Sequence, residues 1–365
     1  MGSELVLVTG YPSLQARKLV EHLLHAEPET RVAVLTAPAL RETAAEHIEK
    51  LGDDAARTEI FEGEPAALDM GLSGAEFRSL TRQVTRLHHV AHESHVGADR
   101  KTAERENVQG AVEALELARH CDALRCVVHH STAHVSGDRA GIVYEDELDE
   151  GQGFHSVEQE TRMRAELVMR RAMPKLPIAV VRPTMLVGDS DTGEADRLDG
   201  AYLLVMLLLG LPGDLAVPLP TGSNNPLNIV PVDYAVKAAR YVGTRREAPG
   251  KTFHLASHET LTAQQVFDTI ARAGGRRTTR SILPSRVATM LSRTPAIARF
   301  LQEPRALVQQ LATKARYDTR NADRLLAHSG LSCPPLEAYV GTLVATVQER
   351  FRDRQATGDR TEPEG

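Results

Sequence analysis

The chain predicts an α/β fold: a doubly wound parallel sheet with a smaller, mainly helical C-terminal lobe. Apolar strand-length runs alternate with amphipathic helical segments through the first half. Those runs are apolar on both faces, as strands covered by helices on both sides are. The first run ends at Val8-Thr9-Gly10, a glycine turn that feeds a helix.

In chain order, Glu4–Thr9 reads as the first strand, and Leu14–His25 repeats its apolar residues at helical spacing. Arg31–Thr36 is the second strand, followed by a helix through Ala44–Leu51, a third strand at Thr58–Phe61 and a helix at Ala75–Val84. Leu87–Ala91 is strand four, Thr102–His120 a long helix, and Leu124–Ser131 a strongly apolar strand five. A helix over Ser156–Ala172 leads to strand six at Pro177–Arg182, which Pro183 ends. The alternation breaks after Gly188: an acidic loop (Asp189–Gly200), an apolar helix (Ala201–Leu211) and a Pro- and Gly-rich stretch (Pro212–Asn225) follow. Leu227–Pro231 is a short strand before a helix at Tyr234–Val242, and Lys251–Ser257 is one more strand. From Leu261 the pattern is helical, with breaks at Pro284, Pro295, Pro304 and Pro334-Pro335. The expected division is a sheet core of 1–188 plus 226–258, a substrate lobe of 189–225 plus 259–352, and a disordered tail, 353–365.

Composition excludes several classes. At 365 residues with 42% hydrophobic and 25% charged residues, the chain has the make-up of a globular protein. A net charge of −6 leaves no basic footprint for nucleic acid. Cys121, Cys126 and Cys333 fit neither a disulfide framework nor a zinc spacing, which predicts reduced thiols and a cytoplasmic location. The longest apolar run, Tyr202–Leu211, is well below the roughly 20 residues a spanning helix needs.

The turn Thr9-Gly10-Tyr11-Pro12-Ser13-Leu14-Gln15-Ala16 resembles the Thr-Gly-x-x-Gly-x-x-Gly loop of short-chain dehydrogenases/reductases, with Ser13 at the second glycine and Ala16 at the third. Such a loop holds a pyrophosphate on backbone N–H groups, and glycines allow the close approach. Ala16 suits a position that governs helix–strand packing, whereas the Ser13 Cβ points into the phosphate space and Pro12 lacks an N–H. Two readings stand side by side: Pro12-Ser13 as a plain helix start, or a dinucleotide loop in altered form.

The resemblance extends along nearly the whole chain and is closest to the acyl-thioester (fatty acyl-CoA or carrier-protein) reductase branch of the extended short-chain dehydrogenases/reductases, a Rossmann-like fold. It is carried by Gly63-Glu64, Leu72-Ser73, Asn107-Val108-Gln109-Gly110, Ser131-Thr132-Ala133-His134-Val135 and Glu147–Phe154. Arg182-Pro183, Val187-Gly188-Asp189-Ser190, Asn228–Asp233, Tyr317-Asp318, Asn321 and Cys333–Leu336 complete it. It implies NADP or NAD as cofactor, with contacts at Thr9, Gly10, Ser13, Leu14, Arg41, Glu64, Ala91, His92 and Pro183. It implies a small-molecule or acyl-thioester ligand and a homodimer through the helices Thr102–His120 and Ser156–Ala172. The second strand ends at Thr36-Ala37 without the acidic residue that selects NAD, and Arg41 stands within reach of a 2′-phosphate.

The family's catalytic set is Ser or Thr, Tyr and Lys. Here Thr132 matches the first, and gapless alignment puts Glu158 at the tyrosine and Arg162 at the lysine. Four residues apart on a helix, Glu158 and Arg162 share a face and can pair. A carboxylate held ionised beside Arg162 has no proton to give, and arginine does not replace lysine in a proton relay. The expected function is a diverged relative of these reductases whose Tyr/Lys hydride chemistry is lost or weakened and whose cleft serves binding or regulation. The alternative is an active NAD(P)H-dependent oxidoreductase using Thr132 and a substitute proton donor.

Histidines gather near the ends of strands four and five: His88, His89, His92, His95, His129, His130 and His134. Adjacent ones point to opposite faces of their strands, so only part of the set can meet, and no metal site is expected. The apolar segments Tyr202–Leu211 and Leu215–Leu219 suit either an acyl pocket or ordinary core. Arg276–Arg299 is basic and amphipathic, for a solvated face or a membrane or partner contact.

Overall fold

The computed structural model describes residues 4–92, 99–196, 202, 205–206, 217–218, 224–276, 278–279 and 313–358. His95, most of Ala201–Leu211 and Leu215–Leu219, nearly all of Arg276–Arg299, and 359–365 lie outside the described residues. The chain divides into two units: Met1–Thr184 with Asp233–Ala256 and Ala315–Ser332, and Met185–Val232 with Ser257–Lys314 and Cys333–Gly365.

The first unit is a Rossmann-like seven-stranded parallel sheet. Its strands are β1 (Leu5–Thr9), β2 (Arg31–Thr36), β3 (Thr58–Glu62), β4 (Val84–His89), β5 (Cys126–His130), β7 (Ile178–Pro183) and β11 (Thr252–Leu255), in the order β11-β7-β5-β4-β1-β2-β3. β1, β4, β5 and β7 are buried along their whole length; β1, β5 and β7 open on apolar runs for that reason, whereas β4 buries Arg86, His88 and His89. Helices α1 (Leu14–Ala26), α2 (Arg41–Glu49), α3 (Gly74–Gln83), α4 (Arg100–Ala103), α5 (Gly110–His120) and α6 (Val157–Ala172) link the strands. A core of Leu7, Leu35, Leu80, Leu87, Leu115, Val127 and Met169 packs between helices and sheet. Side chains close the helix starts: Ser13 caps α1, Ser73 and Glu76 form a capping box on α3, and Ser156 caps α6. A π-helical turn at Glu104–Gln109 joins α4 to α5.

Two strands of this unit carry no periodic signal: β6 (Ala140–Val143) and β13 (Lys314–Tyr317), which pair as a two-stranded sheet. The region after Leu261 is thus not wholly helical. β13 and the helix after it, Arg320–Leu326, belong with the main sheet rather than with the lobe. The link is Glu145, whose carboxylate accepts N–H groups from His254 (2.9 Å), Asn321 and Ala322 (3.1 Å).

In the second unit, β8 (Met185–Val187) pairs in parallel with β10 (Ile229–Pro231), and β9 (Val217–Pro218) with β12 (Thr278–Thr279). Its core gathers Met185, Val187, Leu227, Ile229, Phe267, Ile270, Tyr339 and Val347. The last helix runs Leu336–Gly358, so it continues into the segment expected to be a disordered tail. Among the described residues no helix is long and apolar enough to cross a membrane.

Candidate active site

Strand order reverses at β1: its chain neighbour β2 lies on one side and β4 on the other, so a crevice opens past the carboxyl ends of β1 and β4. Gly10 sits at its floor with φ +80°, and a Cβ there would meet the Ala91 nitrogen at 2.7 Å. This glycine is required by the backbone of the strand-four exit whether or not a nucleotide binds. Ser13 donates its N–H to the Gly10 carbonyl (3.0 Å), and its hydroxyl accepts the Ala16 N–H (3.4 Å). The loop therefore spends two of its N–H groups on itself, and Pro12 has none to offer. Leu14 is buried at the first position of α1.

The hydroxyl of Thr9 accepts N–H bonds from Val90 and Ala91, both at 3.2 Å, which fills its lone pairs. Its own hydrogen then goes to His89 Nδ1 at 3.0 Å and leaves that imidazole protonated on Nε2. On the opposite face Gln15 Nε2 donates to His130 Nδ1 (3.0 Å), and His130 Nε2 donates to His88 Nδ1 (3.1 Å). The rings of His89 and His129 stack at 5.6 Å. The histidines thus form separate pairs across β4 and β5, one pair per face. Among the described residues no group of three or more His, Cys, Asp or Glu is placed to hold a metal.

Burial keeps these imidazoles neutral. It lowers His89 to about 4, His130 to about 3 and His134 to about 4, and pushes His88, His92 and His129 well below the ordinary range. After burial, the guanidinium of Arg162 is the next cause for His89, His92 and His134.

Arg162 lies on α6 with its side chain 6% exposed. Its Nη2 donates to the His130 carbonyl at 3.0 Å, and its Nε stands 3.9 Å from Glu158 Oε1, an ion pair without a hydrogen bond. Thr132, two residues beyond that carbonyl, accepts the His134 N–H at 3.2 Å and keeps its hydroxyl hydrogen to give. Thr132, Glu158 and Arg162 are thereby tied to the exit of β5. Beneath them Glu166, fully buried, accepts from Ser131 Oγ (2.7 Å), from Arg182 through Nε and Nη2, and from Arg170 Nε (2.8 Å). These cations outweigh the burial that opposes ionisation and hold the Glu166 carboxyl down at about 2. Sequence reading passed over Glu166 and Gln15; the signal for Glu166 is its place one helical turn beyond Arg162.

The other expected contacts are spread more widely. Ala91 lies against Gly10, and the His92 ring bonds the Val90 carbonyl at 2.6 Å. Arg41 pairs with Glu62 at 2.7 Å, and Glu64 with Arg105 at 3.5 Å, all four side chains largely exposed. Pro183 closes β7 in register with Leu255. Of the phenols, Tyr144 is exposed with Arg320 over its ring, and Tyr317 meets Ser136 at 3.3 Å.

This sheet order and crevice are those of a Rossmann-like dinucleotide-binding fold. Residues 8–239 match the family of the male sterility protein, an NAD-binding domain, and the chain belongs to that family. A Drosophila melanogaster protein named as a fatty acyl-CoA reductase is 22% identical over 304 residues, 70% of this chain and 55% of that protein. The chain thus spans about half the length of that relative. The terminal R domain of the myxalamid PKS-NRPS pathway superposes with a TM-score of 0.78 at 21% identity, covering 96% of this chain and 92% of that one. Yeast methylglyoxal/isovaleraldehyde reductase, solved with NADPH, superposes at 0.69 with 14% identity, over 96% and 99% of the two chains.

Proposed function

We propose that this chain is a diverged member of its family in which hydride transfer through a Tyr/Lys pair is lost or strongly weakened, and whose cleft is kept for a small-molecule or acyl-thioester ligand or for regulation. The observation that carries this reading is Arg162. In the gapless alignment Arg162, a buried guanidinium fixed to the His130 carbonyl, falls at the lysine position, with Glu158 rather than a phenol one turn away. A guanidinium stays charged across the accessible pH range, so it cannot pass a proton as an amine can.

NAD or NADP is the cofactor to test, since the family carries it. The residues present fit its pyrophosphate poorly: a side chain stands where the second glycine belongs, and two loop N–H groups are already bonded internally. Were such a cofactor bound, it would supply a hydride, and Thr132 and Arg162 would be the residues to hold the carbonyl and the nicotinamide end.

The test is titration of NADH and NADPH into the full chain, followed by turnover with aldehydes and acyl thioesters. No binding in the micromolar range is expected. Micromolar binding with steady nicotinamide oxidation would overturn the proposal and favour an enzyme with a substitute proton donor. In that case Glu158→Ala, Thr132→Ala and Arg162→Ala must each depress the rate.

A further inference from the structure

Arg162 has five N–H donors, and among the described residues its one hydrogen bond is to the His130 carbonyl. Glu158, 3.9 Å from its Nε, and Glu166 further along α6 offset part of the charge. The other Arg162 nitrogens are not among the buried atoms left without a partner, so they keep some contact with the crevice and can give to a ligand that enters it. The nearest polar company, His89, His92, His129, His130 and His134, is uncharged and brings no counter-ion. Thr132 adds a hydroxyl whose oxygen accepts from His134 and whose hydrogen has no acceptor among the described residues. The β5 exit thus carries donors in search of acceptors, with a planar fork among them.

We infer that the β5 exit binds the carboxylate of an organic acid, held by the Arg162 guanidinium and the Thr132 hydroxyl. A carboxylate is acceptor-only, planar and matched to the fork. A monoanion suits the charge balance better than a phosphate dianion, because Glu158 and Glu166 already act on the Arg162 charge. The inference rests on the reading above that the cleft is kept for a ligand, and it names the class of ligand.

The experiment uses the full chain labelled with ¹⁵N and follows the arginine Nε–Hε signals while acetate, butyrate and octanoate are added. The primary alcohols of the same chain lengths and inorganic phosphate run as comparators. The Arg162 signal, assigned from its absence in Arg162→Lys, is expected to shift saturably with at least one carboxylate and with none of the alcohols. Calorimetry of the same acid should show at least a tenfold loss in Arg162→Met and a smaller loss in Thr132→Val. A carboxylate series that never moves the Arg162 signal overturns the inference, as do alcohols or phosphate binding more tightly than the acids. The spectral arm needs no variant to fold beyond the assignment control. Turnover with NADPH alongside carboxylate binding would sink the lost-chemistry reading and leave this site standing; no turnover and no carboxylate binding would do the reverse.

Discussion

The Ser13 hydroxyl caps α1 by accepting the Ala16 N–H at 3.4 Å, in the loop that resembles a dinucleotide turn. Replacing Ser13 by Gly removes a side chain from the phosphate approach and frees that N–H. The helix loses only a few tenths of a kcal/mol, because glycine is itself an acceptable N-cap. NADPH affinity in Ser13→Gly should rise by about tenfold, equivalent to ~1.4 kcal/mol, read by calorimetry or by NADPH fluorescence. An unchanged affinity would show that Pro12 or the crevice itself, not the Ser13 side chain, limits binding.

Gly10 separates fold from cofactor. Its φ of +80° and the 2.7 Å approach of the Ala91 nitrogen leave no room for a Cβ. Gly10→Ala should therefore destabilise the protein by about 1–3 kcal/mol in the complete absence of nucleotide. Urea denaturation measures this directly. A variant as stable as the parent would mean that the strand-four exit can move aside, and the glycine would then report on ligand after all.

The sheet was legible because its strands are buried on both faces: β1, β5 and β7 announce themselves as apolar runs, and the helices between them by spacing. β6 and β13 were not legible. β6 has three exposed residues of four and β13 two of four, so neither carries a continuous apolar signal. Their partnership across more than 170 residues is a tertiary fact that no local window contains. In the site, the opposite facing of adjacent histidines followed from the pleat of the strand. The internal bonding of the loop N–H groups, the buried Glu166 and the bond from Arg162 to the His130 carbonyl depend on distances between elements, which residue types alone do not supply.

The Glu166–Arg182 pair offers a second stability test. Both side chains are essentially inaccessible, and removing one partner strands the other charge. Arg182→Met should cost about 3–5 kcal/mol, whereas a packed apolar replacement of both should cost far less. A double-mutant cycle by chemical denaturation gives the comparison. If Arg182→Met alone is tolerated within about 1 kcal/mol, well below the usual cost of an uncompensated buried charge, then Arg170 suffices to hold the carboxylate and Arg182 serves another purpose.

Acid should unfold this protein early. Burial lowers His89 and His134 to about 4 and His130 and His254 to about 3 in the folded chain, against an ordinary value near 6.5. Above pH 6.5 both states are neutral and these groups contribute no pH dependence. As pH falls from 6.5 the unfolded chain takes up protons that the folded chain refuses, so stability drops until the folded values near 3–4 are reached. Each such histidine contributes a loss of about 1.4 kcal/mol per pH unit over that window. Glu145 acts in the opposite sense, since burial raises it to about 7: its contribution is full below pH 4.5 and fades as pH rises towards 7. One carboxyl is outweighed by four imidazoles, so the net slope below pH 6.5 favours unfolding in acid. Urea midpoints measured at pH 8.0, 6.5, 5.5 and 5.0 should stay nearly level from 8.0 to 6.5 and then fall with increasing steepness. A flat profile down to pH 5.0 would mean that the buried imidazoles accept protons in place, and the neutral surroundings of Arg162 would have to be redrawn.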